Sequence, residues 1–237
     1  MARQTQASGC KGRVNLPNMP NIPFTTAEFY GVFSAYNATV WPMQLLLLGL
    51  GVVAVALLSR QRRYSSVGIS AILTMLWAWQ ALAYHLAFFT AINPLAYGFA
   101  ALFAGGAAVF CWQGVVRRKL IFKPSPGWRM QAGWGLIIFA MFIYPAWTYL
   151  AGHRYPAVPT FGLPCPTTLF TIGLLAFLVT PYPRSPFVVP VLWCFVGSQA
   201  AFVFDVPQDL GLVVAGGMDI VLLMRSKGSS ARLGDTA

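Results

Sequence analysis

The chain has 237 residues, of which 57% are hydrophobic and only 9% charged, with a mean hydropathy of +0.65. Soluble domains carry about 25% charged residues, so an ordinary soluble fold is excluded and lipid is the expected solvent. The net charge of +11 does not point to nucleic acid, because the basic residues sit in short clusters between apolar segments, the pattern that orients membrane proteins.

Residues 1–23 read as a polar tail with no apolar run of the kind a signal peptide needs. Thr25 and Glu28 form a capping-box pattern at a helix start. Phe29, Phe33, Tyr36 and Val40 follow at helical spacing, which predicts an amphipathic helix over Thr26–Ala38 lying on the outer interface. Asn37-Ala-Thr39 matches a glycosylation sequon, read here as a chance match.

Seven spans follow, at about 41–58, 67–92, 95–116, 130–150, 167–179, 187–204 and 208–224. A helix needs about 20 apolar residues to cross roughly 30 Å of hydrocarbon. The fifth segment covers only ~20 Å. Phe161-Gly-Leu-Pro-Cys-Pro166 must therefore run at membrane depth as non-helical backbone, which is tolerated only inside protein or beside water. Residues 226–237 read as a disordered tail. The fold class is thus an all-α integral membrane protein, one transmembrane domain over residues 24–225, with a short, broken fifth span.

One set of alternate loops holds Arg60, Arg62, Arg63, Arg117, Arg118, Lys119, Lys123, Arg129, Arg184, Arg225, Lys227 and Arg232. The other holds Arg3, Lys11, Arg13 and Arg154. The positive-inside rule puts the larger set in the cytoplasm, the N-terminus outside and the C-terminus inside. Two small-residue faces, Ala101/Ala104/Gly105/Ala108 and Gly211/Ala215/Gly216, predict close helix packing.

Polar residues within spans are few, and each is a candidate. His85 lies about 10 Å below the outer end of the second span. His153, Arg154 and Cys165 lie on the outer loop, and Asp209 lies at the outer turn before the last span. Thr167 and Thr168 read as a helix start inside the membrane, whose free N–H groups would favour an anionic or hydrogen-bond-accepting guest, with Arg154 adding positive charge nearby. His85, His153 and Cys165 are the metal or redox candidates, with no CxxC, HExxH or close histidine pair to support them. Cys165 is alternatively half of a disulfide with Cys10. Asp219, within the last span, is expected to pair with Arg225 or reach toward the inner surface.

GHRYPAVPTFGLPCPTT (152–168), AEFYGVFSAYNATVWP (27–42), YHLAFFTAINP (84–94) and VPQDLGLVVAG (206–216) together resemble a family of bacterial multi-pass membrane proteins known only as a domain of unknown function. The resemblance spans Pro23–Met224. It implies a bacterial inner-membrane location and brings no assigned activity or catalytic residues. Retinal proteins are excluded, because every lysine lies outside the spans.

Three functions fit these features. One is a small-solute transporter or permease component with an outward-facing site built from His85, His153, Arg154, Cys165, Thr167, Thr168 and Asp209. A second is an accessory subunit packing against other membrane subunits or a second copy of itself. The third is a membrane-embedded metal or redox site at the outer face. Motifs of soluble enzymes (a P-loop, GxGxxG after a strand, a Ser–His–acid pattern) are absent, and the sequence names no cofactor.

Overall fold

The computed structural model describes residues 24–226. Among them no strand forms beyond two isolated bridges. The elements are α1 (Thr26–Val40), α2 (Met43–Arg60), α3 (Ser65–Ala91), α4 (Ala96–Val116), α5 (Trp128–Leu150), α6 (Pro164–Leu175), α7 (Ser185–Val203) and α8 (Pro207–Arg225). Six of them, α2 to α5 with α7 and α8, are long and apolar enough to cross a membrane. Each of their ends lies within two residues of the sequence expectation. The expectations for the two tails, and for Cys10, lie outside the described residues.

α1 forms as its pattern dictates. The Glu28 amide donates to Thr25 Oγ1 at 3.3 Å, and the Thr25 amide donates to Glu28 Oε2 at 2.7 Å. This reciprocal cap satisfies two backbone donors at the helix start. Phe29, Val32, Phe33 and Tyr36 are buried against the bundle, while Val40 is half-buried.

The short helix departs most from expectation. α6 begins at Pro164, three residues before the expected start, and stops at Leu175 rather than at 179. Its N-cap is Leu163, not a threonine, and no side chain caps it. Pro164 and Pro166 fall in the first turn, where a missing N–H costs nothing and a fixed φ suits the helix. Beyond Leu175 the chain turns and pairs with the segment before α5. The Lys123 amide donates to Phe177 O at 2.8 Å, and the Val179 amide donates to Ile121 O at 2.9 Å. Leu120 and Phe122, in the loop that carries Arg117, Arg118, Lys119 and Lys123, are consequently about 1% exposed. Helix α6 is thus flanked at both ends by buried non-helical backbone. Every residue of it but Cys165 is buried, as expected of a helix apolar all round at the centre of a bundle.

α5 and α6 cross with their backbones almost touching. A Cβ on Gly133 would lie 2.9 Å from Gly173 O, and one on Gly173 would lie 3.0 Å from Gly133 O. Small residues permit such approach, which maximises dispersion between helices that lipid does not push together. The expected face on α8 packs likewise, with Gly216 against Cys194 and Gly211 against Phe139 and Leu169. The expected face on α4 does not. Ala101, Ala104, Gly105 and Ala108 point outward, and the opposite face carries the contact, with Gly106 against the Trp77 ring. Trp77 and Phe103 stack with centroids 4.7 Å apart, and burying those large rings outweighs the gain from close backbone approach.

Three helices carry π-helical turns, at Gln80–Leu86, Cys111–Val116 and Phe139–Ile143. The first holds Tyr84 and His85. The third precedes Tyr144 and Pro145, so the proline resumes the helix after a widened turn instead of breaking it.

Candidate functional site

The outer loop and the start of α6 are held by α1. Asn37 is fully buried, which removes its sequon from any glycosylation reading. Its Nδ2 donates to Pro156 O and Val158 O at 2.7 Å each, and its Oδ1 accepts from Thr160 Oγ1 at 2.9 Å. Gln44 donates to the same side chain at 3.2 Å. Loop 152–163 is thereby laid across the bundle. Gly162, at φ +99°, lets the chain turn against Leu47 into the first turn of α6.

Beneath this loop lies a cavity of about 440 Å³. Its wall is mainly aromatic and aliphatic: Phe29 and Phe33 from α1, Tyr84 and Phe89 from α3, Phe99 from α4, Trp193 and Val196 from α7, and Phe204 just beyond α7. Cys165, Tyr144 and Asp209 bring polar atoms to it. Such a mixture, largely apolar with a few placed polar groups, is the usual make-up of a small-molecule site.

The polar groups belong to one buried network. Tyr144 Oη donates to Asp209 Oδ1 at 2.6 Å, a short hydrogen bond. Gln208 Nε2 donates to Thr148 Oγ1 at 3.0 Å, and Thr148 Oγ1 donates to Tyr144 O at 2.9 Å. The Cys165 thiol lies against Asp209 and Trp193. Asp209, in the first turn of α8, is therefore tied to α5 and faces the first turn of α6. Asp209 is 2% exposed.

The seven residues expected from sequence do not converge. Asp209 and Cys165 share the cavity. Thr167 and Thr168 are buried one turn inside α6, and their hydroxyls have no partner among the described residues. His85 lies behind the wall, its ring 4.7 Å from Phe103 and 5.2 Å from Trp193, both nitrogens without a hydrogen-bond partner among the described residues. His153 stacks on Tyr30 at 4.3 Å. Arg154 is exposed, its guanidinium 3.8 Å over the Tyr149 ring. Among the described residues no group of three or more His, Cys, Asp or Glu could hold a metal, and Cys165 forms no disulfide. Asp219 does not meet Arg225 either. Among the described residues both its carboxylate oxygens lack a partner, and Arg225 lies over Trp128 at 5.3 Å.

The sequence pointed to Asp209 but not to its donor. Tyr144 carried a signal only as the residue before a proline, and Asn37 only as a sequon. On α1, burial and then the nearby Asp205 and Asp209 push the Tyr30 phenol up to about 12. It stays a neutral donor, to Asp205 O at 3.1 Å.

A family described as one of unknown function (DUF6064) matches residues 26–232. No curated protein and no solved structure matches the chain.

Proposed function

We propose, for a chain that belongs to the DUF6064 family of unknown function, a role as a small-solute transporter or permease component of the bacterial inner membrane. In this reading α6 counts as a seventh, half-length span between α5 and α7. The described chain is then one transmembrane domain, with α1 on the outer interface, the N-terminus outside and the C-terminus in the cytoplasm. The basic residues support that orientation, since Arg60, Arg117, Lys119, Arg129 and Arg225 fall at one end of the bundle.

The observation that carries the reading is the cavity under loop 152–163. It is roofed by non-helical backbone, and it reaches a buried carboxylate at the junction of α5, α6 and α8. Discontinuous helices that end beside a polar site are how many carriers bind solute at membrane depth. The metal or redox alternative gains nothing from the geometry, because His85, His153 and Cys165 sit in three separate environments.

The test is labelling from one side of the membrane. In a variant without its native cysteines, Val196→Cys (on the wall) and Gln199→Cys (at the rim) should react with an impermeant methanethiosulfonate added outside intact cells. Filling the cavity with Ala200→Trp should protect Val196→Cys. Reaction only after permeabilisation would refute an outward-opening site.

A further inference from the structure

The same cavity, if it binds solute as proposed above, has a chemistry that selects the guest. Among the described residues, Asp209 is the one acidic residue on its wall, and no lysine, arginine or histidine lines it. Tyr144 supplies a single hydrogen bond, whereas an ionised carboxylate offers about four acceptor sites. A buried carboxylate without a countercharge is costly, and an opposite charge placed beside it recovers much of that cost.

The remaining wall suits an apolar body. Phe29 and Phe204 stack with centroids 4.5 Å apart, and Phe24 stacks on Phe204 at 5.0 Å. Tyr84 and Phe89 stack at 5.7 Å. An apolar body held among such rings is removed from water over much of its surface. The feature that sequence reading assigned to an anion is disarmed. Two of the first three residues of α6, Pro164 and Pro166, have no N–H to offer, and Arg154 is elsewhere.

We propose that this cavity is a binding site for a small organic cation, its ammonium against Asp209 and its apolar body among Phe29, Phe89 and Phe204. The volume of about 440 Å³ falls within the range of roughly 300–1,000 Å³ common to small-molecule sites. An uncharged guest would leave the carboxylate without its countercharge, and an anion would be repelled by it.

Titration calorimetry on the full chain in detergent can decide this with three probes of one shape: 2-phenylethylamine, 2-phenylethanol and phenylacetate. The amine should bind about tenfold or more tighter than the alcohol, and phenylacetate weakest. Asp209→Asn keeps an acceptor for Tyr144 and should bring amine and alcohol together. Should that variant not fold, the ranking in the native protein still decides. Alcohol or phenylacetate binding as tightly as the amine overturns the cation assignment while leaving the solute site standing. No heat from any probe, unchanged by Ala200→Trp, overturns both.

Discussion

The contact between α5 and α6 offers the sharpest test of the packing, because two glycines two residues apart on one helix have opposite surroundings. A methyl group added at Gly133 would meet Gly173 O at 2.9 Å, Ala176 Cβ at 3.0 Å and a Phe177 ring carbon at 2.6 Å. The first of these is backbone and cannot rotate away. Gly135 is exposed, with nothing among the described residues within 4 Å of such a methyl. Replacing glycine by alanine in a helix gains about 0.5–1 kcal/mol wherever space allows. Overpacking a tight contact costs about 1–3 kcal/mol. Gly135→Ala should therefore be neutral to stabilising, and Gly133→Ala less stable than it by about 1–3 kcal/mol, because the propensity gain is common to both. Reversible unfolding in mixed micelles measures it. Two variants within about 0.5 kcal/mol of each other would show that the helices do not approach as described. Gly173→Ala should resemble Gly133→Ala, since its methyl would meet Gly133 O at 3.0 Å and Ile137 N at 3.2 Å. The double variant should cost less than the sum, because one displacement of α6 relieves both.

Other outcomes follow from the hydrogen bonds. Asn37→Ala leaves the Pro156 and Val158 carbonyls without their donor. It should cost about 1–3 kcal/mol and speed proteolytic cleavage within loop 152–163. Unchanged cleavage would show that Asn37 does not hold the loop. Tyr144→Phe deletes the donor to Asp209 and should lower stability by about 1–3 kcal/mol, whereas Tyr149→Phe, on an exposed side chain, should be nearly silent. The Thr25 amide, and then its hydroxyl, hold the Glu28 carboxyl below the ordinary glutamate value. A depressed carboxylate stabilises above its unfolded-state pKa, and that stability is lost as pH falls through its folded-state value. The docking of α1 should thus weaken below the ordinary glutamate range, and Glu28→Gln should flatten that dependence in an acid titration followed by amide exchange of Phe29–Phe33.

Six long helices were legible because their signal is one-dimensional. Hydrocarbon thickness sets the length of an apolar run, and Arg60, Arg117, Arg184 and Arg225 mark where runs end. The capping box and aromatic stripe of α1 are likewise local. α6 was legible only as an anomaly. Its excess brevity showed, but its boundaries depended on Ile121 and Lys123, more than fifty residues from the turn they pair with. The small-residue face of α4 misled for a related reason. Spacing shows that a helix can approach a neighbour, while the size of Trp77 and Phe103 decided which side it approached from.

For the site, sequence singled out polar residues that ought not to lie idle in lipid, and Asp209 and Cys165 were among them. It could not separate these from His85 and His153, because burial and polarity look alike whether a side chain faces a cavity, a ring or a loop. Membrane residence and the break before α6 were written into composition and local pattern, since lipid filters every segment separately. Which carboxylate meets Tyr144, and that a hollow ringed by phenylalanines lies before it, arose only when seven distant segments packed, because cavities are properties of pairs and triples of surfaces.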